Sequence, residues 1–471
     1  MRKKKVGIMT FSDGRRFVHE ELLKMNQSFQ NRLAKTLEAT GEVEVVAADE
    51  IVWTSQTAKN EGIKLQQRGV EVTILNFAIW SFPHLAVVTT QFAPSPFLLF
   101  SNVNPKYPGM VGMLASAGAL DQIGVFNARV SGDIGEPAVL AKVLSFIRAA
   151  AAVNRLKGET FGLFGGRPMG MYTAVSNLDD WRKIFGVDVE HIDQMEIVRR
   201  AQLVEGDKVD SALRWLEKHG NVHYDGKQLT PEKLKLQIRS YYAVREILAE
   251  KGLDFVGIKA QPELTDNFVT MDVTEAFLND PYDWDGSHEP IVASTEADMD
   301  GAMTMEILKH LSGEPVLFAD VRHYNAEEDV WDLCNSGSHA TYYAGKSNDP
   351  KVNLKNVHFY PESFYFPGGG ASVAHIAKAG KVTIARLARR NGRYWMAIIP
   401  AEFIEFPHEK AQSMAEATSP EWPHAFARMQ VPAEKFLAEY DSNHCHAIYG
   451  DWVEELVWVC KILGIDYKIL V

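Results

Sequence analysis

The sequence predicts an α/β protein: two doubly wound parallel-sheet domains, then a β-rich C-terminal domain that is barrel-like or a sandwich. Three observations carry this prediction. From Lys5 to about Asn154, short apolar runs alternate with helix-like segments, the pattern of a parallel sheet covered by helices on both faces. A second alternating stretch starts near Leu156-Lys157-Gly158. From about Glu314 onward the texture changes to short β-like runs dense with turn residues, as in an antiparallel barrel or sandwich. A length of 471 residues suits about three domains. The expected boundaries are 1–155, 156–310 and 311–471.

In the first domain Val6-Gly7-Ile8 forms a strand, Asp13-Gly14-Arg15-Arg16 a polar turn, and Leu22, Leu23, Phe29, Leu33 and Leu37 mark a helix. Strands are expected at Val43 to Ala47, Val72 to Leu75, Ala86 to Thr90 and Phe97 to Phe100, with a helix over Ala138 to Ala152. Trp80 falls in a loop, where a lone tryptophan is more often a packing or interface residue than a ligand contact. In the second domain Thr160 to Phe164 is a strand, followed by Gly165-Gly166. That turn has neither the GxGxxG nor the Walker A pattern, so a nucleotide site is disfavoured. Helices follow at Asp193 to Leu203, Lys208 to His219 and Thr230 to Lys251, the last opened by Thr230-Pro231, and then a strand at Phe255 to Ile258. The third domain offers strands at Val330 to Leu333, Val357 to Tyr360, Val382 to Leu387 and Tyr394 to Ile399. A final helix carries Trp452, Val453, Leu456, Val457, Cys460 and Ile462 as a core stripe.

Composition excludes several classes of function. Net charge is −12 and no dense basic block occurs, which argues against a nucleic-acid partner. No run of about 18 apolar residues is present, so a membrane span is not expected. The apolar run Val6 to Phe11 is too short for a signal-peptide core. Three cysteines without CxxC spacing suit a reducing cytoplasm.

The chemistry concentrates between Glu289 and Asn325. The run Pro290 to Ala293 reads as a strand ending near Glu296. Met303, Ile307 and Leu311 follow at helical spacing, Ser312-Gly313 stops the helix, and Val316 to Ala319 is a second strand ending on Asp320. Two strands joined by a helix should lie parallel, bringing Glu296 and Asp320 to one sheet edge. Two carboxylates in one crevice repel unless a proton or a cation lies between them. A divalent metal is the productive solution, although a helix-dipole role for Glu296 and a pairing of Asp320 with Arg322 fit the spacing too. His444 and His446 precede the final helix in the run SNHCH.

The runs KVGIMTFSDGRR, WDGSHEPIVASTEADMDGAM, VLFADVRHY, LCNSGSHA, YFPGGGAS and NHCHAIYG, in that order, make the chain resemble the L-fucose isomerase family, which is related to the L-arabinose isomerases. The resemblance covers nearly the whole chain and marks it as a shorter member. It implies two α/β domains followed by a β-rich domain, assembled as a hexamer or similar homo-oligomer with active sites near subunit interfaces. It implies aldose–ketose isomerisation of a small sugar, L-fucose or D-arabinose by default, through an enediol, with Mn²⁺ held by Glu296, Asp320 and His444. Glu296 and Asp320 would also transfer the proton. Arg16 and Trp80 match residues that a neighbouring subunit lends to the sugar. Gln261, Ser336, Tyr365, Trp422 and Asn443 match positions near sugar hydroxyls. The chain departs from the family at Met9, where a basic residue is usual, and at Gln261-Pro262-Glu263-Leu264. A rebuilt pocket leaves room for an anionic aldose such as sulfoquinovose, met by Arg15, Arg16, Arg167 or His339, or for a sugar-binding protein of the same fold without turnover.

Overall fold

Five strands build the first sheet: β1 (Lys4–Phe11), β2 (Val43–Ala47), β3 (Val72–Phe77), β4 (Phe97–Ser101) and β5 (Asn127–Ser131). All pair parallel in the order β2-β1-β3-β4-β5. Strands covered on both faces need not alternate in polarity, and β3 is buried at every position. In this computed structural model, which describes residues 3–336 and 339–471, the sheet belongs to a compact unit of Met1–Asn154 with Glu454–Ile462. The expected strand at Ala86 to Thr90 is instead part of a helix, Pro83–Thr89. Proline at its first turn is pre-set for a helix, and Leu85, Ala86 and Thr89 are the residues it buries.

One helix, Pro137–Leu156, is long and apolar enough to cross a membrane, but 61% of its most apolar stretch is buried within the protein. Val143, Phe146, Ile147 and Ala150 sit in the core of the first sheet. The final helix, Val453–Leu463, joins the same core. Trp458 meets Phe146 edge-on at 5.5 Å, and Glu455 pairs with Arg148 at 3.0 Å.

The second unit comprises Arg155–Val453 with Leu463–Val471. β6 (Thr160–Phe164), β7 (Asp188–Ile192), β9 (Phe255–Ile258) and β12 (Ala293–Thr295) form a parallel sheet in the order β12-β9-β6-β7. Two-residue ladders add β8 (Asn221–Val222) beside β15 (His358–Phe359), and the hairpin of β10 (Tyr282–Asp283) with β11 (Gly286–Ser287). The remaining strands are β13 (Leu317–Asn325), β14 (Val330–Cys334), β16 (Gly380–Arg390), β17 (Arg393–Phe403), β18 (His424–Met429), β19 (His444–Tyr449) and β20 (Asp466–Ile469). They run β16-β19-β13-β14-β18-β17, and β17 pairs back onto β16. Six antiparallel strands thus close on themselves as a barrel, with β20 added parallel beside β17. Of the two β-rich architectures the sequence allowed, the barrel is the one formed.

This topology corrects one expectation. β12 and β13 flank the helix Met299–Ser312 in sequence but belong to different sheets, so they are not a parallel pair. The helix packs on the outside of the barrel against β16 and β19 while keeping contact with β9 and β12 of the parallel sheet. Barrel strands alternate by two. Leu317, Ala319, Cys445 and Ala447 fill the interior cluster, which leaves Phe318, Asp320, His444 and His446 for the opposite face.

Among the described residues no strand lies beside the outer edge of β12, and the side chain of Asn279 takes its place. Asn279 Nδ2 donates to Ala293 O at 2.8 Å, and Oδ1 accepts from Ala293 N at 3.2 Å. Replacing Asn279 with Ala orphans both backbone groups in a buried setting. Asn279→Ala should lower unfolding free energy by about 2–3 kcal/mol, read from urea titrations. A loss under 0.5 kcal/mol would show that the clamp is dispensable.

Candidate active site

Glu296 owes its position to two residues of unusual backbone. Just past β12, Glu296 (φ 54) and Ala297 (φ 48) are left-handed, a conformation that costs a non-glycine residue roughly 1–2 kcal/mol. The kink is held by Ala297 N donating to Ile258 O at 2.9 Å. It turns the chain sharply enough for Asp298 to cap the next helix, its Oδ1 accepting from Gly301 N at 2.9 Å. A Cβ on Gly301 would come within 2.6 Å of Asp298 Oδ2 and 2.9 Å of Arg386 Nη1, so this position must be glycine.

Antiparallel register supplies the other two candidates. On β13 and β19, Asp320 lies directly opposite His444, and both face the helix side of the barrel. His444 Nε2 lies 2.9 Å from Glu296 Oε2 and 3.5 Å from Asp320 Oδ1. It is buried and has no hydrogen-bond alignment to either oxygen. Two carboxylates and an imidazole nitrogen therefore converge, with the closest approach, His444 to Glu296, at ion-pair distance; this is a donor set that suits a divalent cation. Amides fix the carboxylates: Gln261 Nε2 lies 3.4 Å from Glu296 Oε1, Asn335 Nδ2 lies 3.0 Å from Asp320 Oδ2, and Asn443 Nδ2 lies 3.2 Å from Asp320 Oδ1.

Behind this set is a buried ion network. Asp298 Oδ2 accepts from His444 Nδ1 at 2.6 Å and from Arg386 Nη1 at 2.5 Å, while Arg386 Nη2 reaches Asp298 Oδ1 at 3.1 Å. Burial alone would raise the Asp298 pKa, but Arg386 and His444 outweigh it and hold the carboxylate far below the usual range. Burial also opposes a charge on His444, yet Asp298 and Glu296 beside it push its pKa up to about 10. His446 behaves oppositely. Burial and the Arg386 charge hold it well below its ordinary value. It is neutral, and its Nε2 accepts from Arg386 Nη1 at 3.2 Å. Phe318 packs against both rings, at 4.7 Å from His444 and 4.9 Å from His446.

Comparison with known proteins identifies the family. Residues 3–158, 245–313 and 333–470 match family models of the L-fucose isomerase first N-terminal, second N-terminal and C-terminal domains. The chain belongs to the L-fucose isomerase family. This is a family of aldose–ketose isomerases, that is, intramolecular oxidoreductases. L-fucose isomerase from Haemophilus influenzae is 26% identical over 540 positions, covering 98% of this chain and 91% of that protein. The proteins of the same name from Vibrio vulnificus and Citrobacter koseri are 24% and 26% identical, each with 98% of this chain and 92% of the relative covered. An alignment of 540 positions exceeds the 471 residues here, so the Haemophilus protein carries segments that this member lacks.

Within this L-fucose isomerase family member, Gln261 and Asn443 join Glu296, Asp320 and His444. Ser336 is buried one residue beyond Asn335; Gly337 and Ser338 of the LCNSGSHA motif lie outside the described residues. Trp422 donates from Nε1 to Glu362 Oε1 at 3.0 Å, with the Arg322 guanidinium 5.4 Å above its ring. Tyr365 is 64% exposed and lies tilted against Phe364, ring centroids 4.0 Å apart. Arg16 and Trp80 lie in the first unit: Arg16 is exposed and paired with Glu20 at 3.0 Å, and Trp80 is half-buried in the turn after β3. His339 is fully buried, and desolvation holds its imidazole well below the usual range. A neutral ring has no charge to offer an anionic sugar.

Asp298, Arg386 and Asn335 are the contributors that sequence reasoning missed. The signal for Asp298 was present: an aspartate two residues after Glu296 at a helix start is the pattern of a cap. Arg386, on a strand 88 residues away, left no local signal. Asp298→Ala should destabilise the fold by about 3–5 kcal/mol, because Arg386 is left buried without its partner. The double substitution Asp298→Leu with Arg386→Met should recover much of that loss in a denaturant-based double-mutant cycle. Additive losses would contradict the pairing.

Proposed function

We propose that this protein is a divalent-cation-dependent aldose–ketose isomerase that interconverts a free aldose of the L-fucose or D-arabinose type with its ketose through an enediol. The observation that carries the reading is the buried His444 Nε2 facing two carboxylates at 2.9 and 3.5 Å, in a chain of this family. Glu296, Asp320 and His444 would hold the cation, with Mn²⁺ our first choice. When bound, it supplies the positive charge that polarises the sugar carbonyl and offsets developing oxyanion charge.

The chain's own residues do the rest. One of the carboxylates of Glu296 and Asp320 takes the proton from C2 and returns it to C1. The amides of Gln261, Asn335 and Asn443 keep both carboxylates oriented, so little reorganisation is needed at the moment of transfer. Asp298 holds His444 by Nδ1, which fixes the ring with Nε2 toward the cation. Ser336, Tyr365 and Trp422 are our candidates for contacts to sugar hydroxyls, Trp422 offering an aromatic face. We assign the segments 1–155, 156–310 and 311–471 as oligomer and substrate contacts, the Glu296 half-site, and the Asp320–His444 half-site. We further propose a homo-oligomer, a hexamer or similar, whose neighbouring subunits lend Arg16 and Trp80. We place it in the cytoplasm, in keeping with three buried cysteines that lack CxxC spacing. An anionic aldose and a binding protein without turnover are the alternatives.

Ketose formation from neutral and sulfonated aldoses, after chelation and again with Mn²⁺ restored, tests the reading. Activity should vanish on chelation and return with metal. Glu296→Gln and Asp320→Asn should each lower kcat/KM by about 10²–10⁴-fold. Turnover that survives both substitutions would refute the site, and a folded, metal-loaded protein with no turnover on any aldose would favour a binding role. A second test uses protons. Without a cation His444 is protonated at neutral pH, its pKa being about 10, and ligation requires the neutral ring. Metal uptake at pH 7 should release about one proton per site, and affinity should rise with pH up to that value. Calorimetry in buffers of different ionisation enthalpy reads this directly, and a pH-independent affinity would contradict it. For the shared site, mixing Arg16→Ala and Glu296→Gln chains after dissociation should restore part of the lost activity.

A further inference from the structure

At its far end, the helix that follows Glu296 carries a second convergence of ligand-type side chains. Glu306 and His310 are four residues apart on the helix Met299–Ser312, so they share a face one turn from each other. Glu159, in the turn entering β6, completes the group. His310 Nε2 is 2.8 Å from Glu159 Oε1 and 3.2 Å from Glu306 Oε1. The candidate ligand atoms of all three lie within 4.8 Å of one another.

Two observations point beyond a chance cluster. Glu306 is fully buried, and its Oε2 has no hydrogen-bond partner; neither does the buried Oε2 of Glu159. A buried carboxylate with a free oxygen is costly unless a cation or a donor meets it. Lys309 pairs with the other oxygen of Glu306, but it leaves Oε2 unmet and its own side chain retains 16% exposure, so it can swing outward. The position is also the last turn of the helix, where the unsatisfied carbonyls favour positive charge.

We propose that Glu159, Glu306 and His310 form a second divalent-cation site, separate from the catalytic set. One imidazole nitrogen with two carboxylate oxygens is a donor set for Zn²⁺ or a similar first-row ion, with water completing the coordination. The distance from the catalytic end is roughly 20 Å along the helix, given 1.5 Å per residue. The site ties the end of that helix to the entry of β6. Its role is structural: it anchors the element whose opposite end carries the Asp298 cap.

Counting metal separates this proposal from the proposed function. Chelated protein is dialysed against Zn²⁺, and bound metal is measured by elemental analysis for the wild type, His444→Gln, Glu306→Gln and His310→Gln. The wild type should hold two equivalents and each variant one. Zn²⁺ should raise the Tm of His444→Gln but not of Glu306→Gln or His310→Gln. His310→Gln also guards against failure of the Glu306 variant to fold. A single wild-type equivalent that disappears in His444→Gln would overturn the second site while leaving the catalytic reading intact. Two equivalents persisting in both Glu306→Gln and His310→Gln would overturn it as well, marking the extra zinc as adventitious. A second equivalent lost only in Glu306→Gln and His310→Gln, with none lost in His444→Gln, would support this site and refute the other.

Discussion

Much of the second unit depends on one carboxylate. Asp298 caps a helix with one oxygen and bridges a histidine and an arginine with the other, all in a buried setting. The helix start, β19 and β16 meet at that point, so local geometry, barrel packing and the candidate metal ligand share a single anchor. Buried ion pairs of this kind contribute little net stability against apolar substitutes, yet they are severe in the arrangement they allow. Only one relative placement of helix and barrel satisfies all three partners of Asp298. The left-handed kink at Glu296 and the missing side chain at Gly301 follow from that placement, since each lets backbone come close to the carboxylate.

The parts of the fold legible from sequence are those whose signals are local. Four parallel strands of the first sheet and several long helices announce themselves by apolar runs, by 3.6-residue spacing and by a Thr-Pro start, whereas β5, with the sequence NARVS, carries no such run and is not among the expected strands. Ala86 to Thr90 misled because a short apolar run of that length fits either element, and Pro83, three residues earlier, was the arbiter. Membership of a sheet is different. The strand–helix–strand reading of Glu289 to Asn325 had the order of elements right, but β12 lies later, at Ala293–Thr295, β13 runs on past Asp320 to Asn325, and their partners differ from those expected. Whether β13 continues the parallel sheet or joins β19 depends on residues more than a hundred positions downstream.

That error did not displace the candidate site. A parallel pair would have set Glu296 and Asp320 side by side at one edge. The structure instead brings them to His444 from two sheets, Asp320 by direct antiparallel register and Glu296 through its kinked backbone. Spacing already singled out Glu296 and Asp320, and the family resemblance supported them and added His444. The supporting residues Asp298 and Arg386 came from neither, because a cap and a strand arginine are ordinary features until their meeting is seen. Trp80 and Arg16 sit in another unit of the chain, where local pattern says nothing of the site.

The final helix has a consequence for how the molecule can be divided. The chain enters the first unit, leaves it after Asn154, returns for Glu454 to Ile462, and ends in the barrel with β20. A cut near Asn154 would release a first sheet stripped of Trp458 and Glu455, and a barrel fragment still bearing a foreign helix. The two units are therefore laced by three covalent crossings rather than hung on a single linker. Recombination that exchanges one of them must take up two separate segments at once, which binds their inheritance together more tightly than any interface could.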